Sequence, residues 1–240
     1  MKNIILFLMS IIFPRTCASC GKTLPFNGKN NICNSCFDGF EKNKGLICKR
    51  CSAPLKDGGA HCYDCKDGKN IYFEVLKAPY VYQDKIKKVI KKFKYSDRTF
   101  LAADFACSMS KLIIKEEWCK DIDIIIPVPL HFIKQFRRGY NQSFLLAKHI
   151  GRYLNKPVCK DILFRKKNTK AQFGLGRQER EKNLENNFVL SDKYADFIKG
   201  KKVLLVDDVA TTCTTINQCS KILKKSKAKK VYAVTIARAK

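Results

Sequence analysis

The feature that most constrains this chain is a series of four Cys-x-x-Cys pairs within its first 70 residues. Each pair can present two thiolates to one tetrahedral metal ion, and two pairs complete a four-sulfur site. Gaps of twelve, eleven and ten residues separate the successive pairs. The pairs are Cys17 with Cys20, Cys33 with Cys36, Cys48 with Cys51, and Cys62 with Cys65. This nearly regular arrangement predicts two structural Zn²⁺ sites.

Paired cysteines also form disulfides or carry out redox chemistry. Disulfides require an oxidising compartment, and thioredoxin-type redox motifs do not occur in sets of four. The spacing leaves the pairing open: either the first pair joins the second and the third joins the fourth, or the pairs interleave as a cross-brace. Residues 1–70 are therefore predicted to form a small double zinc-finger domain whose folding depends on metal.

An apolar run from Ile4 to Phe13 precedes the first cysteine pair. It resembles the apolar region of a signal peptide, but no Ala-x-Ala cleavage site follows it. It is also shorter than the roughly 20 residues that span a bilayer. Because Pro14 and Arg15 lead directly into the first pair, cleavage would expose a metal site. We expect a cytoplasmic protein in which residues 4–13 form a short helix, packed on the protein or lying at the inner face of the membrane.

Charge is distributed unevenly along the chain, which carries 48 Lys and Arg against 21 Asp and Glu, a formal net charge of +27. Residues 1–70 hold eleven cations and five anions, and eight thiolates with two Zn²⁺ would reduce their net +6 to about +2. Residues 71–240 hold thirty-seven cations and sixteen anions, a net +21. This excess favours a polyanionic partner such as nucleic acid, an anionic membrane or a phosphorylated substrate. The alternative is a set of solvated lysine faces that only keep the protein in solution.

Beyond residue 70, strand-like and helical patterns alternate. Strand patterns occupy 71–82, 123–130, 202–208 and 230–237, and helical patterns occupy 85–94, 141–154 and 214–226. The runs at 123–130 and 202–208 are continuously apolar, which is typical of strands buried on both faces. This alternation predicts an α/β fold for residues 71–240, with a mainly parallel sheet flanked by helices.

Two adjacent carboxylates, Asp207 and Asp208, follow the apolar residues 203–206. Ligands of parallel sheets bind beyond the carboxyl ends of the strands. Carboxylates at that position accept hydrogen bonds from vicinal hydroxyls or bind the Mg²⁺ of a sugar diphosphate. The next segment, from Ala210 to Thr215, contains four threonines and leads into a helix whose first N–H groups suit a phosphate. The alternative interpretation is an acidic helix cap with a threonine-rich turn.

The segment "VLLVDDVATTCTT" at 203–215 resembles the phosphoribosyl-pyrophosphate motif of type I phosphoribosyltransferases. Nearly the whole chain resembles the ComF family of competence-associated proteins, through the cysteine pairs and through "PVPLHFIKQFRRGYNQSFLLA" at 127–147 and "RKKNTKAQFGLGRQEREKN" at 165–183. The resemblance implies that phosphoribosyl pyrophosphate, with Mg²⁺, contacts Asp207, Asp208, Ala210, Thr211, Thr212, Cys213, Thr214 and Thr215. It also implies a pyrophosphate or hood loop that includes Lys134, Arg138, Gly139, Asn141, Gln142, Arg165, Gln172 and Arg180.

Two positions depart from the family pattern. Cys213 occupies a place where glycine is usual, and a cysteine is strained there if the backbone needs a positive φ. Lys134 stands where arginine is common, which keeps the charge but loses the bidentate fork. No other acid or base stands out, so catalysis and the identity of an acceptor base remain open.

Two lysine groups are candidates for DNA contacts. Ile86, Val89, Ile90 and Phe93 form the apolar stripe of the helix predicted at 85–94. The opposite face of that helix carries Lys85, Lys87, Lys88, Lys91, Lys92 and Lys94, and a second group comprises Lys221, Lys224, Lys225, Lys227, Lys229 and Lys230. Both groups are expected to face solvent or a partner. Because aromatic residues do not alternate regularly with these lysines, we expect weak, salt-sensitive binding of single-stranded DNA without sequence preference.

Three functions agree with the resemblance and the charge. The first is a competence protein that handles incoming single-stranded DNA during natural transformation, on a phosphoribosyltransferase fold that binds phosphoribosyl pyrophosphate. The second is an active phosphoribosyltransferase of nucleotide metabolism or salvage, because a fold alone does not fix an activity. The third is a zinc-dependent adaptor for a DNA-uptake helicase.

Overall fold

The computed structural model describes residues 14–28, 30–56, 58–66, 70–96, 98–166 and 187–239. The cysteine-rich region before residue 70 contains little regular structure. Antiparallel bridges join Thr16 to Thr23 and Ile47 to Pro54. Two short helices, α1 (Asn34–Asp38) and α2 (Tyr63–Lys66), each begin directly after a cysteine. This region therefore consists mainly of short loops, and the Cys-x-x-Cys pairs lie at its tight turns.

The rest of the described chain alternates between strands and helices. In chain order the elements are β1 (Val75–Lys77), β2 (Tyr80–Val81), α3 (Asp84–Tyr95), α4 (Leu101–Ile113), β3 (Ile124–Pro127), α5 (Phe132–Arg138), α6 (Gln142–Leu154), β4 (Leu163–Arg165), β5 (Phe188–Leu190), α7 (Ala195–Ile198), β6 (Lys202–Ala210), α8 (Thr214–Lys225) and β7 (Lys230–Arg238). Short 3₁₀ turns occupy Glu117–Cys119 and Asp192–Tyr194.

The main sheet is parallel and has the strand order β1-β7-β6-β3, with β2 pairing farther along β7. Strands β1 and β2 therefore follow one another along the same edge of β7. Between them lies Pro79, whose carbonyl accepts from the Asn43 N–H at 2.9 Å. Strands β4 and β5 form a separate antiparallel pair. The predicted α/β fold with a mainly parallel sheet is confirmed.

Alternate residues of β6 enter two different hydrophobic cores. Leu204 and Val206 pack with α3, α4 and α6 on one face of the sheet. Val203 and Leu205 pack with α8 and the β4–β5 pair on the other. This alternation follows from the two-residue period of a strand, and burial on both sides explains the continuous apolar run.

Several element boundaries differ from the sequence prediction. Helix α4 is absent from that prediction. It buries one face, but the small residues Ala103, Cys107 and Ser108 on its other face weaken the polar contrast that marks such a helix in a sequence. Strand β6 continues to Ala210, beyond the aspartates, because Val209 and Ala210 still pair with β7. The predicted stripe Ile86, Val89, Ile90 and Phe93 is buried along α3, as expected.

Membrane contact is predicted for residues 4–13, which lie outside the described residues. Among the helices that the structure describes, none combines the length and the apolar character needed to cross a bilayer.

Candidate functional site

The eight cysteines of the four pairs gather into two groups. Cys17, Cys20, Cys33 and Cys36 form the first group, and Cys48, Cys51, Cys62 and Cys65 form the second, with all sulfur atoms of a group within 4.8 Å of one another. The pairing is therefore sequential, first with second and third with fourth. The cross-brace alternative is not what the chain adopts.

The sulfur positions fit a tetrahedral zinc ion. A Zn–S bond of about 2.3 Å gives a sulfur–sulfur separation of about 3.8 Å. The Sγ atoms of Cys20 and Cys33 are 3.9 Å apart, and those of Cys51 and Cys62 are 3.6 Å apart. In the described structure these thiols form no disulfide. The two groups are four-cysteine zinc-ribbon sites, here called ribbon 1 and ribbon 2.

The two aspartates lie near the carboxyl end of β6, where the neighbouring strand β3 has already ended at Pro127 opposite Val206. Asp207 Oδ1 accepts hydrogen bonds from the Ser143 hydroxyl at 2.8 Å and from the Asp208 N–H at 2.8 Å. Asp208 Oδ1 forms an ion pair with Lys94 Nζ at 2.8 Å. Helices α3 and α6 therefore both contribute a side chain to the carboxylates.

The environment of the carboxylates alters their acidity. Burial and the adjacent charge of Asp208 raise the pKa of Asp207 to about 7, although the hydrogen bonds from Ser143 and Asp208 act in the opposite direction. Burial lowers the pKa of Lys94, but the charge of Asp208 and their hydrogen bond raise it more. A ligand that brings cations or hydroxyl donors to Asp207 would therefore stabilise its ionised form.

The segment Arg138-Gly139-Tyr140-Asn141-Gln142 fastens three elements together. Gly139 ends α5 with a φ of 75°, a conformation that favours glycine. Asn141 Oδ1 caps α6 by accepting from two backbone N–H groups, at 2.9 and 3.4 Å. The Tyr140 hydroxyl donates to the Phe93 carbonyl, and Gln142 Nε2 donates to the Lys94 carbonyl at 3.4 Å. These bonds hold the last turn of α3, and with it Lys94, against the aspartates.

Four cationic side chains converge on this region. Lys134 and Arg138 lie one turn apart on α5, so they share a face of the helix. The pKa of Lys134 is lowered first by burial and then by the charges of Arg165, Arg138 and Lys94. Arg165 lies on β4, with its guanidinium 5.3 Å from the centre of the Phe188 ring. A polyanion bound among these cations would reduce their mutual repulsion.

The predicted phosphate loop lies between β6 and α8. Thr212 and Thr214 share a hydrogen bond between their hydroxyls at 2.7 Å, and Ala210 is buried. Thr211 is exposed and Thr215 is partly buried in the first turn of α8. Cys213 has a φ of 59°, so the left-handed conformation considered for this position is present and the cysteine is strained. Cys213 packs against the core that contains ribbon 2.

Arg238, at the end of β7, connects the phosphate loop to ribbon 2. Its Nε donates to the Cys51 carbonyl at 3.1 Å, and its Nη1 donates to the carbonyls of Ala210, Thr211 and Ala239. The side chain is 5 % exposed, so water contributes little to these bonds. No sequence pattern indicates this role, because two of the three segments that supply acceptors, Cys51 and Ala210–Thr211, lie far from Arg238 in the chain.

The lysines of α3 divide into two sets. Lys92 Nζ donates to the Ala18 carbonyl of ribbon 1 at 2.7 Å, and Lys94 pairs with Asp208. Lys94 therefore does not face solvent as expected, whereas Lys92 is exposed although its ammonium group contacts ribbon 1. The exposed lysines of the helix are Lys85, Lys87, Lys88, Lys91 and Lys92. In the second lysine group, Lys224 Nζ pairs with Glu74 at 2.9 Å, whereas Lys225, Lys227, Lys229 and Lys230 are exposed.

Some functional residues escape prediction from the sequence, and some predicted residues fall outside the described structure. Gln172 and Arg180 lie among residues 167–186, outside the described residues. Contacts of Ser143 and Lys94 with the aspartates are not among the sequence predictions. The sequence gives only local indications that these residues belong to the site. Ser143 follows the Asn-Gln pair, and Lys94 occupies the last turn of the lysine-rich helix.

Comparison with known proteins accounts for the combination of ribbons and sheet. A family model described as "Double zinc ribbon domain" matches residues 8–66, and one described as "Phosphoribosyl transferase domain" matches residues 141–240. "Competence protein F" of Haemophilus influenzae is 30 % identical over 235 residues, which cover 96 % of this chain and 100 % of that protein. The chain belongs to the competence protein F family.

Other family members are more distant. "Competence protein ComFC" of Bacillus subtilis is 27 % identical over 86 % of this chain and 84 % of that protein. "DNA utilization protein YhgH" of Escherichia coli K12 is 27 % identical over 94 % of this chain and 97 % of that protein. The family resemblance and the predicted ribbon-plus-phosphoribosyltransferase architecture are confirmed.

Proposed function

We propose that this chain binds phosphoribosyl pyrophosphate with Mg²⁺ at Asp207 and Asp208, and that it handles single-stranded DNA as a competence protein. The observation that carries the first part is the ion pair of Asp208 with Lys94, a lysine whose charge, like those of Arg138 and Arg165, acts on Lys134. Carboxylates suit ribose hydroxyls or a magnesium ion, and the cations suit a pyrophosphate. The threonine loop before α8 supplies N–H groups for a terminal phosphate.

Asp207 and Asp208 fit a magnesium ion by their chemistry. Both offer carboxylate oxygens, the ligands that Mg²⁺ prefers, and Lys94 provides a counter-charge beside Asp208. When bound, the ion would neutralise the diphosphate and bridge it to the protein. The chain itself contributes orientation: Ser143 fixes Asp207, and the bonds from Tyr140 and Gln142 to α3 fix Lys94.

DNA handling is supported by charge and by the names of relatives. Residues 71–240 carry a net +21, and α3 and the α8–β7 turn expose lysines that no described carboxylate neutralises by direct contact. Relatives across the family bear the names competence protein and DNA utilization protein. Cytoplasmic placement, helicase association and membrane contact through residues 4–13 stay predictions.

Calorimetric titration with magnesium phosphoribosyl pyrophosphate tests the sugar-phosphate site. Wild-type protein should bind, and the double variant Asp207→Asn with Asp208→Asn should lose binding by at least about tenfold, since both anionic acceptors are removed. Asparagine is used because it keeps an acceptor for Ser143 and for Lys94. Alanine at 208 would leave Lys94 unpaired in a mostly buried position, which is destabilising.

The control is Asp121→Asn with Asp123→Asn, which makes the same charge change at the amino end of the sheet, where these residues contact Lys202. This control should bind the ligand as the wild type does. Equal binding by wild type and the 207/208 variant would refute the site. Titration of the wild type with a single-stranded oligonucleotide tests the DNA part separately.

A further inference from the structure

Helix α5 has two chemically different faces. Lys134 and Arg138 share one face and belong to the cationic site described above. Phe132 and Phe136 are also four residues apart, and the 100° per residue of an α-helix places them about 200° away from that cationic pair. Their side chains are 72 % and 89 % exposed. The cationic site lies on the other face of α5 and does not account for two large aromatic rings exposed to solvent.

The last residue of α5, the helix that carries the exposed rings, contacts the lysine-rich helix. Arg138 Nη2 donates to the Tyr95 hydroxyl at 2.9 Å, and its guanidinium lies 4.5 Å from the centre of the Tyr95 ring. Tyr95 is the last residue of α3 and is 69 % exposed. On α3, Lys88 and Lys91 precede Tyr95 at helical spacing, so all three lie on one stripe. Exposed lysines therefore lead along α3, a length of about 18 Å, to the edge of α5.

We propose that unpaired bases of a single strand of DNA stack on Phe132 and Phe136 while the lysines of α3 and Arg137 contact its phosphates. The proposal rests on the DNA part of the proposed function and names the surface that performs it. Cations beside exposed aromatic rings are the combination that binds single strands, because every base has a stacking face and every nucleotide a phosphate. The sequence alone predicts little stacking because the lysine helix lacks interleaved aromatics, and the folded chain supplies them from a neighbouring helix.

The experiment measures fluorescence anisotropy of a labelled oligothymidylate and of a duplex of the same length, with the full-length protein. Phe132→Ala with Phe136→Ala should weaken binding of the single strand about 10- to 100-fold and reduce the preference for it over the duplex. The corresponding Trp variants should restore binding, whereas Leu variants, which keep an apolar side chain, should not. Phe197→Ala is the control, since Phe197 is an exposed aromatic on α7, away from this surface.

Salt dependence separates the stacking residues from the phosphate contacts. Lys88→Glu with Lys91→Glu should flatten the log–log salt slope by about 0.7 for each phosphate that is no longer neutralised. The double alanine variant should leave that slope unchanged while lowering affinity at every salt concentration. A loss of affinity caused only by misfolding would not produce this division, and retained binding of magnesium phosphoribosyl pyrophosphate reports that the fold persists.

The outcomes distinguish the two proposals. If wild-type protein binds the single strand and the double alanine variant binds it equally well, the stacking surface is refuted and the DNA function stands. If wild-type protein does not bind single strands, the DNA function itself fails. If the alanine variant loses affinity only for vesicles of anionic phospholipid, the rings belong to a membrane contact and the stacking proposal is overturned.

Discussion

Ribbon 1 and ribbon 2 use the same four-cysteine chemistry but pack on opposite faces of one sheet. Ribbon 1 contributes Cys17, Ala18 and Ile32 to the core shared with α3 and α4. Ribbon 2 contributes Cys48, Cys51 and Cys65 to the core shared with α8. The same motif therefore contacts different parts of the chain: ribbon 1 supports the lysine-rich helix α3, and ribbon 2 supports the predicted phosphate loop.

The attachments differ in chemistry as well as in position. Ribbon 1 is joined by Lys92 to the Ala18 carbonyl and by Asn31, whose backbone and side-chain N–H groups both donate to Asp104 Oδ2 at 3.1 Å. Ribbon 2 is joined by the nearly fully buried Arg238, which binds a ribbon carbonyl and two loop carbonyls at once. The second attachment therefore couples a metal site to the loop that we propose binds a phosphate, whereas the first couples a metal site to helices.

Removal of one metal site at a time should produce the largest effects. Cys62→Ser with Cys65→Ser should abolish zinc at ribbon 2 and weaken binding of magnesium phosphoribosyl pyrophosphate at least about tenfold, because Arg238 loses its fixed acceptor beside the loop. The matched variant, Cys33→Ser with Cys36→Ser, should keep that binding within about twofold of wild type and weaken single-stranded DNA binding instead.

Elemental analysis should find two zinc ions per wild-type chain and one in each variant, and calorimetry on the monodisperse fraction supplies the affinities. Equal loss of the sugar-phosphate ligand in both variants would contradict the division of tasks between the ribbons. A wild-type preparation without zinc would remove the basis of that division altogether.

Substitutions at the two attachments should have the next largest effects, and these effects are on the free energy of unfolding. Arg238→Met keeps the apolar stem but leaves the carbonyls of Cys51 and Thr211 without this donor, whereas Ala210 still accepts from the Ala239 N–H at 2.9 Å. The free energy of unfolding should therefore fall by about 3 kcal/mol. Lys92→Met removes one partly exposed bond and should cost about 1 kcal/mol. Urea denaturation with matched m-values measures both. Equal losses would show that Arg238 is no stronger an attachment than Lys92.

The smallest effect is expected at Cys213. Glycine adopts the left-handed conformation of this residue without strain, although it also gains freedom in the unfolded chain. Cys213→Gly should therefore raise the free energy of unfolding by about 0.5–1 kcal/mol. Cys213→Ala retains the strained backbone and should give no gain. Thermal unfolding of the two variants side by side makes the measurement, and a gain in the alanine variant alone would assign the effect to the thiol rather than to φ.

The sequence by itself determined the features that depend on local spacing. Cysteine spacing predicted two metal sites, and the continuous apolar runs before Pro127 and Asp207 predicted doubly buried parallel strands. The apolar stripe of α3 and the start of α8 could also be predicted, because helical periodicity is a property of neighbouring residues. Sequential ribbon pairing was not readable, since both arrangements satisfy the same spacing.

Only the tertiary structure decided which distant residues meet. It brought Lys94 to Asp208, Ser143 to Asp207 and Arg238 to the phosphate loop, although 114, 64 and 27 or 28 residues separate these pairs in the chain. It also set Tyr95 against Arg138, the last residue of α5. Such contacts follow from the crossover connections of a parallel sheet, which carry the chain from one strand end to another over long stretches. Spacing along the chain does not encode them, so the chemistry of the site emerges only when the sheet assembles.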